Sequence, residues 1–315
     1  MPSVVVPPAL AASLAHHLGP DGLAWAARLP FLAAELIERW ELRPDGPAAH
    51  GVVGLVLPVR RVDGTPAALK LQPVDEETAG EPLALRAWGG RGAVRLLDHE
   101  PASGAMLLEG LDPSRSLLSV PDDLVALRVI GELLGELTNR QAPPGLRSLA
   151  HLADDLLLRA PAAVAAHADP DERRLLADCA AAVRAVRAEP GDRLLHWDLH
   201  YGNVLAPLPG AGRAPWLAID PKPLAGHPGF ELLPALRNRW TDVTATGDPA
   251  RAVRRRFDLL VEALGLDGEV AAAWTLARVL QNAVWDAEDG ETVLDPAQRV
   301  IADVLLGRPV GPRQA

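Results

Sequence analysis

The sequence is short of several things, and each shortage excludes something. It holds a single cysteine, Cys179, in 315 residues. That rules out an intramolecular disulfide and a zinc site built on paired thiolates, and it fits a reducing, cytoplasmic setting. Cys179 lies in the alanine-rich stretch DCAAAV, where a buried structural thiol is a plainer reading than a nucleophile. Long apolar runs are missing too. No window holds about 18 uninterrupted apolar residues, which argues against a membrane span. The opening MPSVVVPPALAASLAHH lacks a basic leading segment and its apolar run is broken by prolines, so no secretory signal is read there. Positive charge is in deficit: 31 Lys and Arg stand against 41 Asp and Glu, a formal charge of −10. Nucleic acid, which demands clustered Lys and Arg, is not an expected partner. An acidic chain can attract a cationic small molecule, although acidity of this size also serves solubility alone. Lysine itself is nearly absent. Only Lys70 and Lys222 are lysines, the other 29 basic residues being arginine. Abundant alanine, proline and arginine suggest GC-rich codons, so arginine is the default cation here. Each lysine is then a candidate for a position where a compact ammonium matters.

What is present is a sizeable apolar inventory, 49% hydrophobic against 23% charged residues, enough for one large domain or two lobes. No repeat of 20–50 residues is found. Apolar residues at helical spacing (Leu29, Leu32, Leu36, Trp40) predict a helix over Ala24–Leu42. Residues 50–71 read as strand, turn, strand, with Asp63-Gly64 as the hairpin signal. A short helix follows within 75–88, with Pro82 in its first turn or interrupting it. Two short strands follow, Val94–Leu97 and Ala105–Leu108. Beyond Asp112 the pattern is mostly helical: Asp122–Asn139, then helices near 148–159, 171–188, 229–240, 249–264, 268–286 and 295–306. A β-rich first part and a helical second part predict a two-lobed α+β architecture, with the cleft between the lobes as the default binding site.

The chemistry concentrates in 193-RLLHWDLHYGNVLA-206, where apolar ends enclose groups that are expensive to bury. Asp198 and Asn203 lie five apart in a loop. Asp220 follows a second apolar run, Trp216–Ile219, and a hairpin across 207–215 would return it to the other two. Three oxygen-donating side chains at one end of a hairpin suit Mg²⁺. Lys70, on the apolar strand segment AALKLQ, needs a partner, which Glu77 or Glu81 can supply. A strand lysine, a helix glutamate, a loop aspartate with asparagine five residues on and a distal aspartate after a strand form the layout of kinase-type phosphoryl transfer. In that chemistry the lysine neutralises nucleotide phosphates, the Asn and distal Asp hold Mg²⁺, and the loop Asp accepts the hydroxyl proton.

HWDLHYGN resembles the H-G-D-x-x-x-x-N catalytic loop of aminoglycoside phosphotransferases, and AIDPKPLAGHPGFEL resembles their metal-binding segment. The likeness extends to the streptomycin 6-phosphotransferase branch through an ordered set: 62-VDGTPAALKLQ-72, 85-LRAWGGRGAVRLLDH-99, 190-PGDRLLHWDLHYGNVLA-206, 215-PWLAIDP-221, 252-AVRRRFDLL-260 and 273-AWTLARVLQNAVWDAEDG-290. The resemblance implies a protein-kinase-like fold, with 1–110 as a small β-rich nucleotide-binding lobe with leading helices and 111–315 as a larger helical catalytic and substrate-binding lobe. It implies ATP and Mg²⁺ as cofactors, a cationic aminoglycoside as substrate, and inactivation of the antibiotic at the streptidine 6-hydroxyl. It assigns Asp198 as catalytic base, Asn203 and Asp220 as metal ligands, and Lys70 with Glu81 at the nucleotide phosphates. Met106–Gly110 corresponds to the segment that meets adenine, so Leu108, Glu109 and Gly110 join the nucleotide site. Gly51 and Gly54 mark the phosphate loop without a full glycine fingerprint. The chain departs from the broader family at Trp197, where glycine is common, at His227, where aspartate is usual, and at Glu231, also commonly aspartate.

Blander readings stand beside these. His196 reads best as a structural histidine, and His200 either as a loop support or as a substrate contact. Together with Asp198 they could form an H-x-D-x-H transition-metal site, which would leave Asn203, Asp220 and Lys70 unexplained. Near the C-terminus Trp285, Asp286, Glu288 and Asp289 offer an aromatic face and carboxylates to a guanidinium-bearing substrate, or form a solvated face. Glu231 is a further substrate candidate, and Trp274 reads as core. The competing functions are a kinase of another small alcohol, such as an amino sugar, another aminoglycoside or a cyclitol, a non-catalytic nucleotide-binding module, and a metal-dependent hydrolase.

Overall fold

The structure, a computed structural model, describes residues 4–310. Residues 1–3 and 311–315, the outer ends of the two expected lobes, lie outside it. The chain divides into two compact units, Met1–Ser114 with Leu205–Leu217, and Arg115–Val204 with Ala218–Ala315. Among the described residues no helix is long and apolar enough to cross a membrane.

The first unit opens with α1 (Pro8–Arg39), which starts well before the predicted Ala24. Gly19, at φ 58 and ψ −136, breaks it into two helical pieces, so the apolar period seen from residue 24 onward belongs only to the second. Leu10, Leu14, Leu29 and Leu36 share one buried core with Leu55, Leu57 and Leu69 of the sheet, and Leu32 and Trp40 pack against it. Each such fully buried leucine contributes roughly 1.5–3 kcal/mol. The strands are β1 (Arg43–Pro44), β2 (Ala49–His50), β3 (Leu55–Arg60), β4 (Pro66–Leu71), β5 (Leu96–Glu100) and β6 (Ala105–Glu109). Their order is β1-β3-β4-β6-β5, with β2 on β3, and all the pairings are antiparallel. The predicted Asp63-Gly64 turn joins β3 to β4: Gly64 takes φ 80, and Asp63 Oδ1 accepts from the Thr65 amide at 2.9 Å. Between β4 and β5 stands α2 (Glu81–Trp88), with Pro82 in its first turn. Pro82 lacks only an amide that the first turn leaves unbonded anyway. The segment 205–217 joins this unit, and its Arg213 guanidinium forks onto Glu109 at 3.1 and 2.7 Å. The chain leaves through β7 (Leu111–Ser116).

The second unit is helical, as expected. Its helices are α3 (Asp123–Thr138), α4 (Leu149–Ala166), α5 (Pro170–Val186), α6 (Leu232–Arg237), α7 (Trp240–Ala245), α8 (Pro249–Leu264), α9 (Gly268–Glu288) and α10 (Pro296–Leu305). Side-chain oxygens cap them: Asp122 accepts from the Leu124 and Val125 amides, Ser148 from His151 and Asp267 from Glu269 and Val270, each removing an orphan helix-end donor. The single helix expected over 229–240 is in fact a 3-10 turn followed by α6 and α7. Asn238 is extended and Arg239 left-handed at φ 54. The break is held by the Arg239 side chain, which donates to the Val120 and Pro121 carbonyls and to Asp242. The strands β8 (Arg147–Ser148), β9 (Arg193–Leu195) and β12 (Leu224–Gly226) form the sheet β8-β12-β9, while β10 (Val204–Pro207) and β11 (Leu217–Ala218), at the two ends of the first unit's segment 205–217, form the sheet β11-β10-β7. The predicted pairing of 204–206 with 216–219 is therefore present as β10 beside β11.

Candidate active site

In the first unit the candidate site is built on β4. Period-two alternation sends Ala67, Leu69 and Leu71 into the core, which turns Lys70 and Gln72 to the opposite face. There Lys70 Nζ donates to both oxygens of Glu81, at 2.8 and 2.7 Å. Lys70 is 5% exposed and Glu81 0%. Two charges this deeply buried are tolerable only as a well-bonded pair, and Gln72 Nε2 adds a third donor to Glu81 at 2.6 Å. Gln72 was not singled out from the sequence, although its place two residues beyond Lys70 on a strand is the signal that would have found it. Gly51 and Gly54 form the tight turn between β2 and β3, closed by the Gly51 amide on the Gly54 carbonyl at 2.9 Å. A Cβ on Gly51 would meet nothing within 4 Å, and one on Gly54 only contacts of 3.5 Å or more, so the protein's own packing requires glycine at neither. Leu108, Glu109 and Gly110 close β6. The Glu109 carboxylate, besides holding Arg213, accepts from the Arg95 amide at 2.8 Å. At Gly110 a Cβ would come to 3.0 Å from Pro66, so any larger residue there would require that neighbour to shift.

In the second unit β9 delivers the chain into the loop 196–203. Glu231 anchors that loop from below. It is fully buried and accepts the backbone amides of His196 and of Trp197, the latter at 2.8 Å. Burial pushes its carboxyl up to about 7, against the pull of those two amides and of Arg278. This places Glu231 under the loop rather than at a substrate. His196 is a support as well. Its Nδ1 accepts from the Asp198 amide at 3.3 Å, leaving Nε2 to donate to the Ile219 carbonyl at 3.0 Å, and burial holds its pKa down at about 4. His200 Nδ1 accepts from the Gly202 amide at 3.1 Å. Its pKa is also lowered by burial, with Asp198 and Asp220 opposing. Asn203 Nδ2 donates to the Asp198 carbonyl at 3.0 Å, which leaves its Oδ1 as an acceptor. The Ile219 amide donates to the Asn203 carbonyl at 2.9 Å and so sets Asp220, in the left-handed region at φ 58, beside the loop. Asp198, Asn203 and Asp220 thus gather, and a carboxylate with an amide oxygen is a donor set that suits a hard divalent cation completed by phosphate and water. The H-x-D-x-H alternative does not form: among the described residues no group of three or more His, Cys, Asp or Glu is placed to hold a metal. Lys222, the second lysine, donates its amide to the His196 carbonyl at 3.0 Å, and its Nζ lies 3.8 Å from Asp198 Oδ2.

A cavity of about 410 Å³ opens beside Asp198. The loop gives it Asp198 and His200, and α9 gives it Arg278, Asn282, Trp285 and Asp286. The spacing of these four puts them on one helical face, so the sequence contained this wall. Arg237 and Lys222 add positive charge. Burial raises the Asp286 pKa, and Arg237 opposes the rise. Glu288 is engaged elsewhere, with Arg159, and Asp289 is the exposed residue that ends α9. Trp274 is core, its ring 6.3 Å from that of His227 and stacked on it. Cys179 is buried and its thiol is pushed up to about 12 by that burial, which makes it inert.

Sequence comparison gives these positions a context. A model of the aminoglycoside/hydroxyurea antibiotic resistance kinase family matches residues 39–290. A streptomycin 6-kinase of Streptomyces glaucescens is 57% identical over 304 residues, covering 96% of this chain and 98% of that protein. A hydroxyurea phosphotransferase of Kitasatospora aureofaciens is 54% identical over 307 residues, 97% of this chain and 87% of that protein. Among solved structures, an amicoumacin kinase in complex with AMP-PNP and Ca²⁺ matches with a TM-score of 0.56 over 90% of this chain and 95% of its own, at 13% identity. That last likeness establishes the kinase-like α+β fold expected from the sequence and nothing finer.

Proposed function

Because the chain belongs to the aminoglycoside/hydroxyurea antibiotic resistance kinase family, we propose that it transfers the γ-phosphoryl group of ATP to the 6-hydroxyl of streptomycin's streptidine ring. The observation that carries this reading is the loop geometry, in which Asn203 is tied to Asp198 and the residue before Asp220 is tied to Asn203. Two named relatives at more than half identity act on antibiotics or hydroxyurea by their names, and they supply the acceptor classes.

In this reading Lys70, fixed by Glu81 and Gln72, meets the nucleotide phosphates. Gly51 and Gly54 leave room for them, and Leu108–Gly110 borders the base. Asn203 and Asp220 would hold Mg²⁺, which when bound neutralises phosphate charge. Asp198 orients the acceptor hydroxyl. As that oxygen bonds to the γ-phosphorus, the bond from phosphorus to the ADP oxygen breaks and the hydroxyl proton passes to an Asp198 carboxylate oxygen. Little covalent chemistry falls to the protein, so its contribution is positioning and electrostatics. The carboxylate of Asp286 and the ring of Trp285 would take a guanidinium of the acceptor.

A second acceptor has a specific observation in its favour. Three cations, Lys222, Arg237 and Arg278, line the cavity against two carboxylates, Asp198 and Asp286. A small neutral acceptor such as hydroxyurea meets no repulsion there. Steady-state kinetics with ATP and Mg²⁺ on each acceptor decides between them. The proposal expects a higher kcat/KM for streptomycin, and the reverse ranking makes hydroxyurea the substrate.

A further inference from the structure

Trp197 has no part in the mechanism above, yet its backbone sits where a tryptophan is disfavoured. Its φ is 68, in the left-handed region that favours glycine. Something must hold the larger residue there. The residue is 1% exposed, and its ring lies under two guanidinium groups, Arg147 and Arg278, each 4.5 Å from the ring centroid. Its edge meets Trp285, with centroids 6.1 Å apart and planes at 63°. Arg278 is in turn fixed by Gln281 Oε1 at 2.6 Å and reaches the Trp197 carbonyl at 3.4 Å. Two cation–π contacts and an aromatic pair, centred on the buried Trp197, offset the backbone cost of one left-handed residue. These contacts join two parts of the site that the sequence keeps far apart. One is the residue immediately before Asp198. The other is the α9 wall of the acceptor cavity, through Arg278 and Trp285.

We infer that Trp197 is a positioning residue that sets the register between Asp198 and the α9 wall, and through it selects acceptors large enough to touch both. The inference rests on the proposed reading of Asp198 as the base. A large acceptor held by Trp285 presents its hydroxyl correctly only if wall and base keep their spacing, and a misplacement of about 1 Å costs on the order of 100-fold in rate. A small acceptor bound at Asp198 alone is indifferent to that spacing.

The test is steady-state kinetics on Trp197→Gly, Trp197→Phe and Arg147→Met, with thermal midpoints measured alongside. Trp197→Gly suits the backbone but deletes the stack. Its kcat/KM for streptomycin should fall roughly 100-fold while KM for ATP stays at the wild-type value, and Trp197→Phe should recover most of the loss. Arg147 does not line the cavity, so Arg147→Met loosens the stack without touching the acceptor. It should lower kcat/KM for streptomycin several-fold, again at unchanged KM for ATP, and it decides the matter if Trp197→Gly does not fold. Wild-type kinetics in folded Trp197→Gly, or in Arg147→Met, overturns the inference. Asp198→Ala is the control for the underlying reading. If it keeps turnover, the assignment of the base has failed. If it loses turnover while the Trp197 and Arg147 variants behave as wild type, only the positioning role has failed.

Discussion

As the proposed base, Asp198 would have to be open enough to meet a hydroxyl and fixed enough to take its proton. Its side chain is 26% exposed with Lys222 beside it, while its amide and carbonyl are held by His196 and Asn203. Lys70 shows the opposite balance, an ammonium sealed against a carboxylate. Lys70→Met should therefore do more than raise KM for ATP. It leaves Glu81 charged and buried, at a cost of about 3–5 kcal/mol, and the double variant Lys70→Met/Glu81→Met should be the more stable of the two in urea denaturation. Equal midpoints would show that the pair is not buried in solution. At the cavity, Asp286→Asn should raise KM for streptomycin about tenfold, the value of one charge-assisted bond, and leave kinetics with hydroxyurea unchanged. Equal effects on both acceptors would remove Asp286 from cation recognition. Much at this scale was legible. Lysine scarcity pointed to both Lys70 and Lys222, and the five-residue spacing pointed to Asp198 and Asn203. Gln72, Arg237 and Arg278 were not singled out, because glutamine is ordinary on a strand and arginine is this chain's default cation. Glu231 was noticed, but its place under the loop depends on two backbone amides that no spacing rule reports.

At the scale of elements, local chemistry wrote the boundaries where it was strong. The Asp63-Gly64 turn and the Asp122 cap fall where turn and capping rules put them. Two breaks escaped. Gly19 divides α1, and Arg239 divides α6 from α7 through bonds to Val120 and Pro121, partners more than a hundred residues away. The loop 196–203 is an element with its own acid–base signature. Between pH 7 and 4.5 the folded chain protonates Glu231, raised to about 7, before the unfolded chain does, so this contribution grows as pH falls. Between pH 6.5 and 4 the unfolded chain protonates His196 first, since the folded value is held at about 4, so this contribution shrinks as pH falls. The two oppose each other from pH 6.5 to 4.5. Glu231→Gln removes only the first, so its denaturation midpoint should drop with acid more steeply than that of wild type across this window. Parallel pH curves would mean that Glu231 is ionised throughout.

At the scale of the whole molecule, the division into a β-rich first part and a helical second part was visible in the sequence. Hydrophobic period switches from two to 3.6 near Asp112, and the ordered likeness spans nearly the full chain. The return of 205–217 to the first unit was not visible, because it depends on Arg213 reaching Glu109 across about a hundred residues of sequence. A ligand that binds only the folded chain stabilises all of it, by about 2.7 kcal/mol at a hundredfold excess over Kd. ATP with Mg²⁺ should therefore raise the thermal midpoint of the wild type. Asp220→Ala should lose the Mg²⁺-dependent part of that rise, and an undiminished rise would take Asp220 out of the metal site. The central claim is phosphoryl transfer to streptomycin with Asp198 as base, and mass spectrometry of the drug after incubation with ATP and Mg²⁺ tests it most directly. The account predicts a gain of one phosphate with the wild-type protein and a rate about 10²–10⁴-fold lower with Asp198→Ala, which still binds ATP. Unmodified streptomycin with the wild type, or near-native transfer by Asp198→Ala, would contradict it.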